Sequence, residues 1–252
     1  CLSFLGNRKL DKQSWFRIAD AKSGEVRTVF DEKVKTYYES GNDKVNWSYL
    51  PETHEAIWFS ERNNWGNLYL YDLNTGKLKR AITTGEGNVT QVLRVDAKSR
   101  TLWFRGVGRT AGVNPYYQQY WKVSIDGGKP TLLTPEAADH TVVPSPDGKL
   151  FVDAYSTSTT PPVTVLRSSD DGRTVAQVAK ADISRLLATG WKAPEPFTVK
   201  PSEAEQAKML QPEDCGRTIA FVASLPPRVC MNEILISPTH NRGFIQTPHS
   251  RD

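Results

Sequence analysis

Apolar and polar positions alternate with a period of two through most of the first two hundred residues. That period places successive side chains on opposite faces of a strand, whereas a helix would repeat every 3.6 residues. Four phrases stand out: "WFRIADAKSGEVRTVF" from Trp15, "LYLYDLNTGKLKRAI" from Leu68, "YWKVSIDGGKPTLL" from Tyr120 and "VTVLRSSDDGRTVAQV" from Val163. Each reads as an aromatic and β-branched strand, a tight polar turn, and a second strand. Asp20, Asp72, Asp126 and Asp170 open the turns, and Gly24, Gly76, Gly127 or Gly128, and Gly172 lie in or close them. Asp suits such a turn because its carboxylate accepts backbone N–H groups two residues on. Gly suits it because it tolerates positive φ.

A second kind of hairpin lies between these: "WSYLPETHEAIWFS" from Trp47, "VLRVDAKSRTLWFRG" from Val92 and "VVPSPDGKLFVDAYS" from Val142. Two hairpins per unit make a four-stranded sheet. The turn aspartates fall 52, 54 and 44 residues apart, a spacing that fits the blades of a β-propeller. Runs such as "LYLYDL" are apolar on both sides, as expected of a sheet packed between two neighbours. A β-sandwich is the alternative, but sandwiches do not normally repeat a whole four-strand phrase. The expectation is an all-β chain of about four to five blades, as a small ring or an open arc, with the first blade incomplete. Exposed blade edges would favour a homo-oligomer. One short helix is expected at "ADISRLLATG", with Asp182 as N-cap and Gly190 as its stop.

Composition narrows the class of protein. The 252 residues are 38% apolar and 10% aromatic, enough for a core. The net charge of +4 comes from interspersed signs with no basic run, which argues against nucleic acid as partner. No apolar run approaches a membrane span of ~18 residues. A mature lipoprotein also begins with Cys, but "CLSFLG" enters a strand pattern at once, so a truncated reading frame is expected instead. Cys215 and Cys230 offer one disulfide that nothing in their spacing requires, and cysteine use does not fix the compartment.

With the blades placed, "WFSERNNWGNLYLYDLNTGKL" (58–78) resembles the blade phrase of the N-terminal propeller in the dipeptidyl peptidase IV group of the S9 prolyl oligopeptidase family. "VVPSPDGKLFV" (142–152) resembles a strand-turn-strand phrase of that propeller. "GWKAPEPFTVK" (190–200) resembles the hinge where it returns to an α/β-hydrolase domain. The resemblance covers residues ~1–200. It implies a propeller that caps a hydrolase, filters substrates and holds the peptide's N-terminus, and an exported, periplasmic or secreted protein. The family's catalytic Ser sits in a G-x-S-x-G elbow, and no such motif occurs in this sequence. The family's adjacent pair of substrate-binding glutamates is also missing, so serine-peptidase activity is not expected. The candidate substrate-binding residues are Glu39 in "YYESG", Arg62, Trp65, Tyr116 and Tyr117. The last two lie in the longest insertion, "GVGRTAGVNPYYQQYW" (106–121), where Tyr120 adds a third tyrosine.

From Pro201 the family pattern stops. Residues 201–252 are expected to be a non-homologous tail from a shifted or spliced frame, with a short helix over Glu203–Leu210 and strands at "TIAFVASL" and "EILIS". Cys215, Cys230, His240 and His249 are zinc-type ligands at spacings that pre-organise no pair. No cofactor is expected under the propeller reading. The alternative is a small propeller acting as a calcium-dependent hydrolase on a lactone or ester. Its oxygen ligands would come from Glu39, Asp43, Asn46, Glu61, Asn63, Asn64, Asn67 and Asp153. The ligand is accordingly a peptide, or else a small ester or lactone.

Overall fold

The computed structural model describes residues 2–7 (backbone only), 13–34, 46–195 and 211–226. Two compact units divide the chain, Cys1–Pro194 and Glu195–Asp252.

The first unit holds four antiparallel sheets in chain order. The first is three-stranded: β1 (Leu2–Asn7), β2 (Gln13–Ala19) and β3 (Val26–Lys33). The second is β4 (Ser48–Leu50), β5 (Glu55–Ser60), β6 (Asn67–Asp72) and β7 (Leu78–Ala81). The third is β8 (Asn88–Asp96), β9 (Thr101–Val107), β10 (Gln119–Ser124) and β11 (Thr131–Leu132). The fourth is β12 (Asp139–Pro144), β13 (Leu150–Ser156), β14 (Val163–Ser168) and β15 (Thr174–Lys180). Each sheet is a meander of neighbouring strands, the pattern of a propeller blade. The expected incomplete first blade is the three-stranded one.

Strand alternation distributes the core between neighbouring sheets. Every residue of β5 is buried. Ala56 and Trp58, with Tyr69 and Tyr71 of β6, join Phe16 and Phe30 of the first sheet. Ile57, Phe59, Leu68 and Leu70 point the other way and join Val89, Leu102, Phe104 and Val123 of the third. Trp103, Tyr120 and Leu133 then pack with Val142 and Phe151 of the fourth. At the first junction Phe30 stacks on Tyr71 with centroids 3.9 Å apart and meets Trp58 edge-on at 5.1 Å, the two geometries that aromatic quadrupoles favour. Among the described residues the buried clusters join the first sheet to the second, the second to the third and the third to the fourth.

The turns follow the expected chemistry in part. Asp20 Oδ1 accepts the N–H groups of Lys22 and Ser23, and Asp72 Oδ1 those of Asn74 and Thr75. These bonds hold both carboxyls below their ordinary range. The glycines adopt positive φ, +73° at Gly24 and +68° at Gly76. Asp126 and Asp170 work differently. Arg100 grips both oxygens of Asp126 at 2.7 and 2.8 Å, and Lys122 reaches Asp170 at 2.8 Å. The backbone bond of the last turn comes from Arg173 N–H to the neighbouring Asp171. A charged partner within reach competes successfully with a local amide for a carboxylate.

The short helix α1 spans Ser184–Leu187, with Ile183 in the cap position. Asp182 still serves the helix start, because its Oδ1 accepts the Ser184 N–H at 2.9 Å. Gly190, at φ +83°, ends the turn. In the second unit "TIAFVASL" does not form the expected strand: α2 spans Pro212–Ala223. Pro212 opens this helix, and the Asp214 carboxylate returns to accept the Gln211 N–H at 3.0 Å. Such a capping box settles the first turn. Once that turn exists, each added residue gains a hydrogen bond, which outweighs the weak strand preference of Thr218, Ile219 and Val222. The expected helix over Glu203–Leu210 and the strand at "EILIS" lie outside the described residues. No helix among the described residues is long and apolar enough to cross a membrane.

Candidate functional site

The loops 61–66 and 108–118 each join the second and third strands of their sheets, so they emerge at the same end of adjacent blades. Hydrogen bonds tie them together across the linker from β7 to β8. Gly66 N–H donates to Asn88 Oδ1 at 2.6 Å, and Val89 N–H donates to the Gly66 carbonyl at 2.7 Å. A Cβ at Gly66 would lie 2.7 Å from the Phe59 ring, so a larger residue there would have to displace that ring. Arg109 donates to the Gly87 and Thr84 carbonyls at 3.1 and 2.8 Å and lies over the Phe104 ring. Burial pushes its guanidinium pKa down.

Arg62 is held from several sides. Its Nη2 donates to Glu32 Oε2 at 3.0 Å and meets the Tyr71 hydroxyl at 2.9 Å. Its guanidinium carbon sits 4.2 Å from the Tyr69 ring centroid, close enough for cation–π attraction. Glu32, buried on β3, also accepts the Trp58 indole N–H at 2.7 Å and the Ser60 hydroxyl. Burial pulls the Arg62 pKa down, but the Tyr71 bond and the Glu32 charge outweigh it and leave the value raised. The Arg62 side chain remains 26% exposed. Trp65, three residues on, is 38% exposed and follows Asn64 in the left-handed region at φ +66°. On the neighbouring loop Tyr116 is 86% exposed, while Tyr117 is half-buried. Asn114 shapes that loop by accepting the Tyr116 and Tyr117 N–H groups, both at 3.0 Å. The structure therefore brings Arg62, Trp65, Tyr116 and Tyr117 to one end of two adjacent blades. Glu39 lies outside the described residues.

A second polar cluster lies between the third and fourth sheets. Asp153 Oδ1 faces His140 Nδ1 at 2.8 Å, and Asp153 Oδ2 accepts from Arg167 Nε at 2.8 Å. Arg167 Nη2 reaches Glu136 Oε2 at 2.7 Å, and His140 Nε2 faces the Glu136 carbonyl at 3.1 Å. Both ring nitrogens of His140 are thus engaged within the cluster. Donor atoms of Glu136, His140 and Asp153 lie within 4.8 Å of one another, a spacing a metal ion would accept. The guanidinium, however, already bonds both carboxylates and supplies the positive charge the site needs. His140 is buried and engaged at both nitrogens, which keeps it from an incoming ligand.

Four of the oxygen ligands of the calcium alternative are engaged by other protein groups. Asn46 accepts from Val92 N–H, Asn67 accepts from the Thr83 hydroxyl, Asn63 bonds the Tyr69 hydroxyl, and Asp153 serves the ionic quartet. Glu39 and Asp43 lie outside the described residues. Of the zinc-type ligands only Cys215 is described, as an exposed free thiol. Sequence reading missed Glu32, His140 and Arg167. A signal was present: each is a charged residue in phase with buried strand neighbours, Phe30, Val142 and Val165.

The model of the dipeptidyl peptidase IV (DPP IV) N-terminal region matches residues 5–162. Dipeptidyl peptidase 4 of Arthroderma otae is 24% identical over 172 residues, 66% of this chain and 22% of that protein. Dipeptidyl peptidase 4 of Trichophyton equinum is 23% identical over the same shares. The crystal structure of Porphyromonas gingivalis dipeptidyl peptidase 4 superposes with a TM-score of 0.61 at 21% identity, covering 74% of this chain and 25% of that one. The chain thus spans about a quarter or less of the proteins it resembles. These matches fall on the blades just described, and the chain belongs to the family of the dipeptidyl peptidase IV N-terminal region.

Proposed function

We propose that this chain is a non-catalytic, substrate-gating segment of a dipeptidyl-peptidase-type propeller, and that it meets peptide at the loop end carrying Arg62, Trp65, Tyr116 and Tyr117. One observation carries the reading: exposed aromatic rings stand on a rigid, hydrogen-bonded base at one end of blades that match this family. Trp and Tyr offer large contact area at little entropic cost. Arg62 holds the platform in shape while its partly exposed guanidinium presents N–H groups to peptide carbonyls. The engagement of His140 at both ring nitrogens also favours a role in binding over one in proton transfer.

The test is titration of the purified chain with Xaa-Pro peptides, followed by tryptophan fluorescence, beside an assay with a chromogenic Xaa-Pro substrate. Saturable binding that Trp65→Ala and Tyr116→Ala both weaken, without turnover, is the expected result. Cleavage of the substrate, or binding indifferent to both substitutions, would overturn the proposal. The calcium-dependent hydrolase is the weaker reading because Asn46, Asn63, Asn67 and Asp153 are committed to other protein groups. Chelator-sensitive turnover of an ester or lactone would restore it.

A further inference from the structure

At each of the three junctions between sheets, an arginine of the later sheet grips the earlier one at or just past its last strand. Arg62 donates to Glu32, near the end of β3, at 3.0 Å, and Arg167 to Glu136, between β11 and β12, at 2.7 Å. At the middle junction Arg109 holds the Thr84 and Gly87 carbonyls between β7 and β8. The middle and last junctions match in other details. Thr83 Oγ1 accepts the Leu68 N–H at 3.0 Å, where Thr134 Oγ1 accepts that of Tyr120 at 2.9 Å. Asn88 Oδ1 accepts the Gly66 N–H at 2.6 Å, where Asp139 Oδ1 accepts that of Gln118 at 2.8 Å. The difference is one of charge. Arg62 and Arg167 each hold a carboxylate, and Arg109 holds none among the described residues.

Arg109 is thus a cation held by neutral groups. Besides the two carbonyls it meets Asn67 Oδ1 at 3.4 Å and lies over the Phe104 ring. Burial is the one influence on its pKa, and it acts downward. Glu86 stands exposed in the same linker and forms no ion pair with it among the described residues. A guanidinium has five N–H groups. The three contacts to oxygen leave two over, and the Nη2 end lies at the surface. The place is that of the candidate site. Arg109 belongs to the loop that carries Tyr116, and Asn67, which it meets, also bonds the Trp65 carbonyl.

We infer that Arg109 binds a carboxylate of the peptide ligand, on an acidic side chain or at the C-terminus. The inference rests on the peptide reading of this loop end. A half-buried guanidinium that meets only neutral acceptors gains more from an incoming anion than one already paired. The bond is charge-assisted, and the planar fork can hold both carboxylate oxygens. Arg62, neutralised by Glu32, discriminates little between acidic and neutral ligands. Selection for an acidic peptide therefore falls to the junction arginine that has no carboxylate of its own among the described residues.

The test titrates the 252-residue chain with Xaa-Pro hexapeptides at low salt, followed by tryptophan fluorescence. One series carries Glu at each position after the proline in turn, with Gln as its neutral match and the C-terminus amidated. A second compares the free acid of the Gln peptide with its amide. The first series reports a side chain, the second the C-terminus. At least one acidic peptide should bind about 10-fold or more tighter than its neutral match, and the ratio should shrink as salt rises. In Arg109→Gln the ratio should fall to near unity, whatever the absolute affinity. Thr84→Glu keeps Arg109 and adds a carboxylate at a residue whose carbonyl it bonds, so it should lower the ratio as well. Equal binding of acidic and neutral peptides by the parent, or a preference that survives both substitutions, would overturn the inference and leave the peptide reading standing. Binding of none of the peptides would overturn both.

Discussion

Gly76→Ala isolates the contact that stacks one blade on the next. Gly76 has φ +68°, and its added methyl would lie 2.2 Å from the Val29 carbonyl oxygen. Two costs combine. Holding alanine in the left-handed region costs about 1–2 kcal/mol, partly offset by the lower entropy of the unfolded chain. Relieving the overlap means moving the turn or the strand by about 1 Å, a forced overpacking that costs about 1–3 kcal/mol more. Gly85 is the matched control: its φ is +87°, and among the described residues its added Cβ meets nothing within 4 Å. Gly85→Ala should therefore cost about 1 kcal/mol and Gly76→Ala about 3 kcal/mol, against a total stability of about 5–15 kcal/mol for a folded domain. Urea unfolding followed by tryptophan fluorescence measures both at one protein concentration. Equal losses in the two variants would refute the reasoning, since backbone conformation alone would then explain them.

Removing Glu32 should cost more than removing Arg62. Glu32→Ala strands the buried Trp58 indole N–H, the Ser60 hydroxyl and the Arg62 charge, for a loss of about 3–5 kcal/mol. Arg62→Ala leaves Glu32 with Trp58 and Ser60 and should cost about 1–2 kcal/mol; a urea double-mutant cycle checks both values. Acid should weaken the fold for a traceable reason. Burial pushes the Glu55 pKa up, but hydrogen bonds from Lys79, Thr53 and Arg100 more than offset it, and Arg100 holds Asp126 low as well. A carboxyl depressed in the folded state contributes stability above its unfolded pKa of about 4, and that contribution fades as pH falls through the folded value. Unfolding free energy should therefore fall below about pH 4, and Glu55→Gln should flatten that slope. A rise in stability over the same interval would contradict the assignment.

The blades were legible because two local signals agree. Alternation marked the strands, and Asp–Gly turn chemistry marked their ends, so "LYLYDLNTGKL" could be placed without tertiary knowledge. What could not be read was the set of contacts between blades. Asp126 looks like Asp72 in sequence, but Arg100 stands beside it only after β9 and β10 have paired. The ionic quartet joins residues from a linker and three strands, and no spacing along the chain announces it. The candidate site was half visible. Exposed aromatic residues in polar loops drew notice to Trp65 and Tyr116, whereas the anchoring of Arg62 by Glu32 spans thirty residues of chain and became visible only in three dimensions. "TIAFVASL" misled because β-branched composition is a weaker cue than a proline-led capping box.

The most direct test of radial stacking is a nuclear Overhauser spectrum of selectively labelled β5. Neighbouring residues there must contact different sheets: the Trp58 indole should show cross-peaks to the Phe30 ring, and the Ile57 methyls to side chains of Val89, Leu102 or Phe104. Cross-peaks from both residues to the same partner sheet, or solvent exposure of either one, would contradict a chain built from blades buried on both faces.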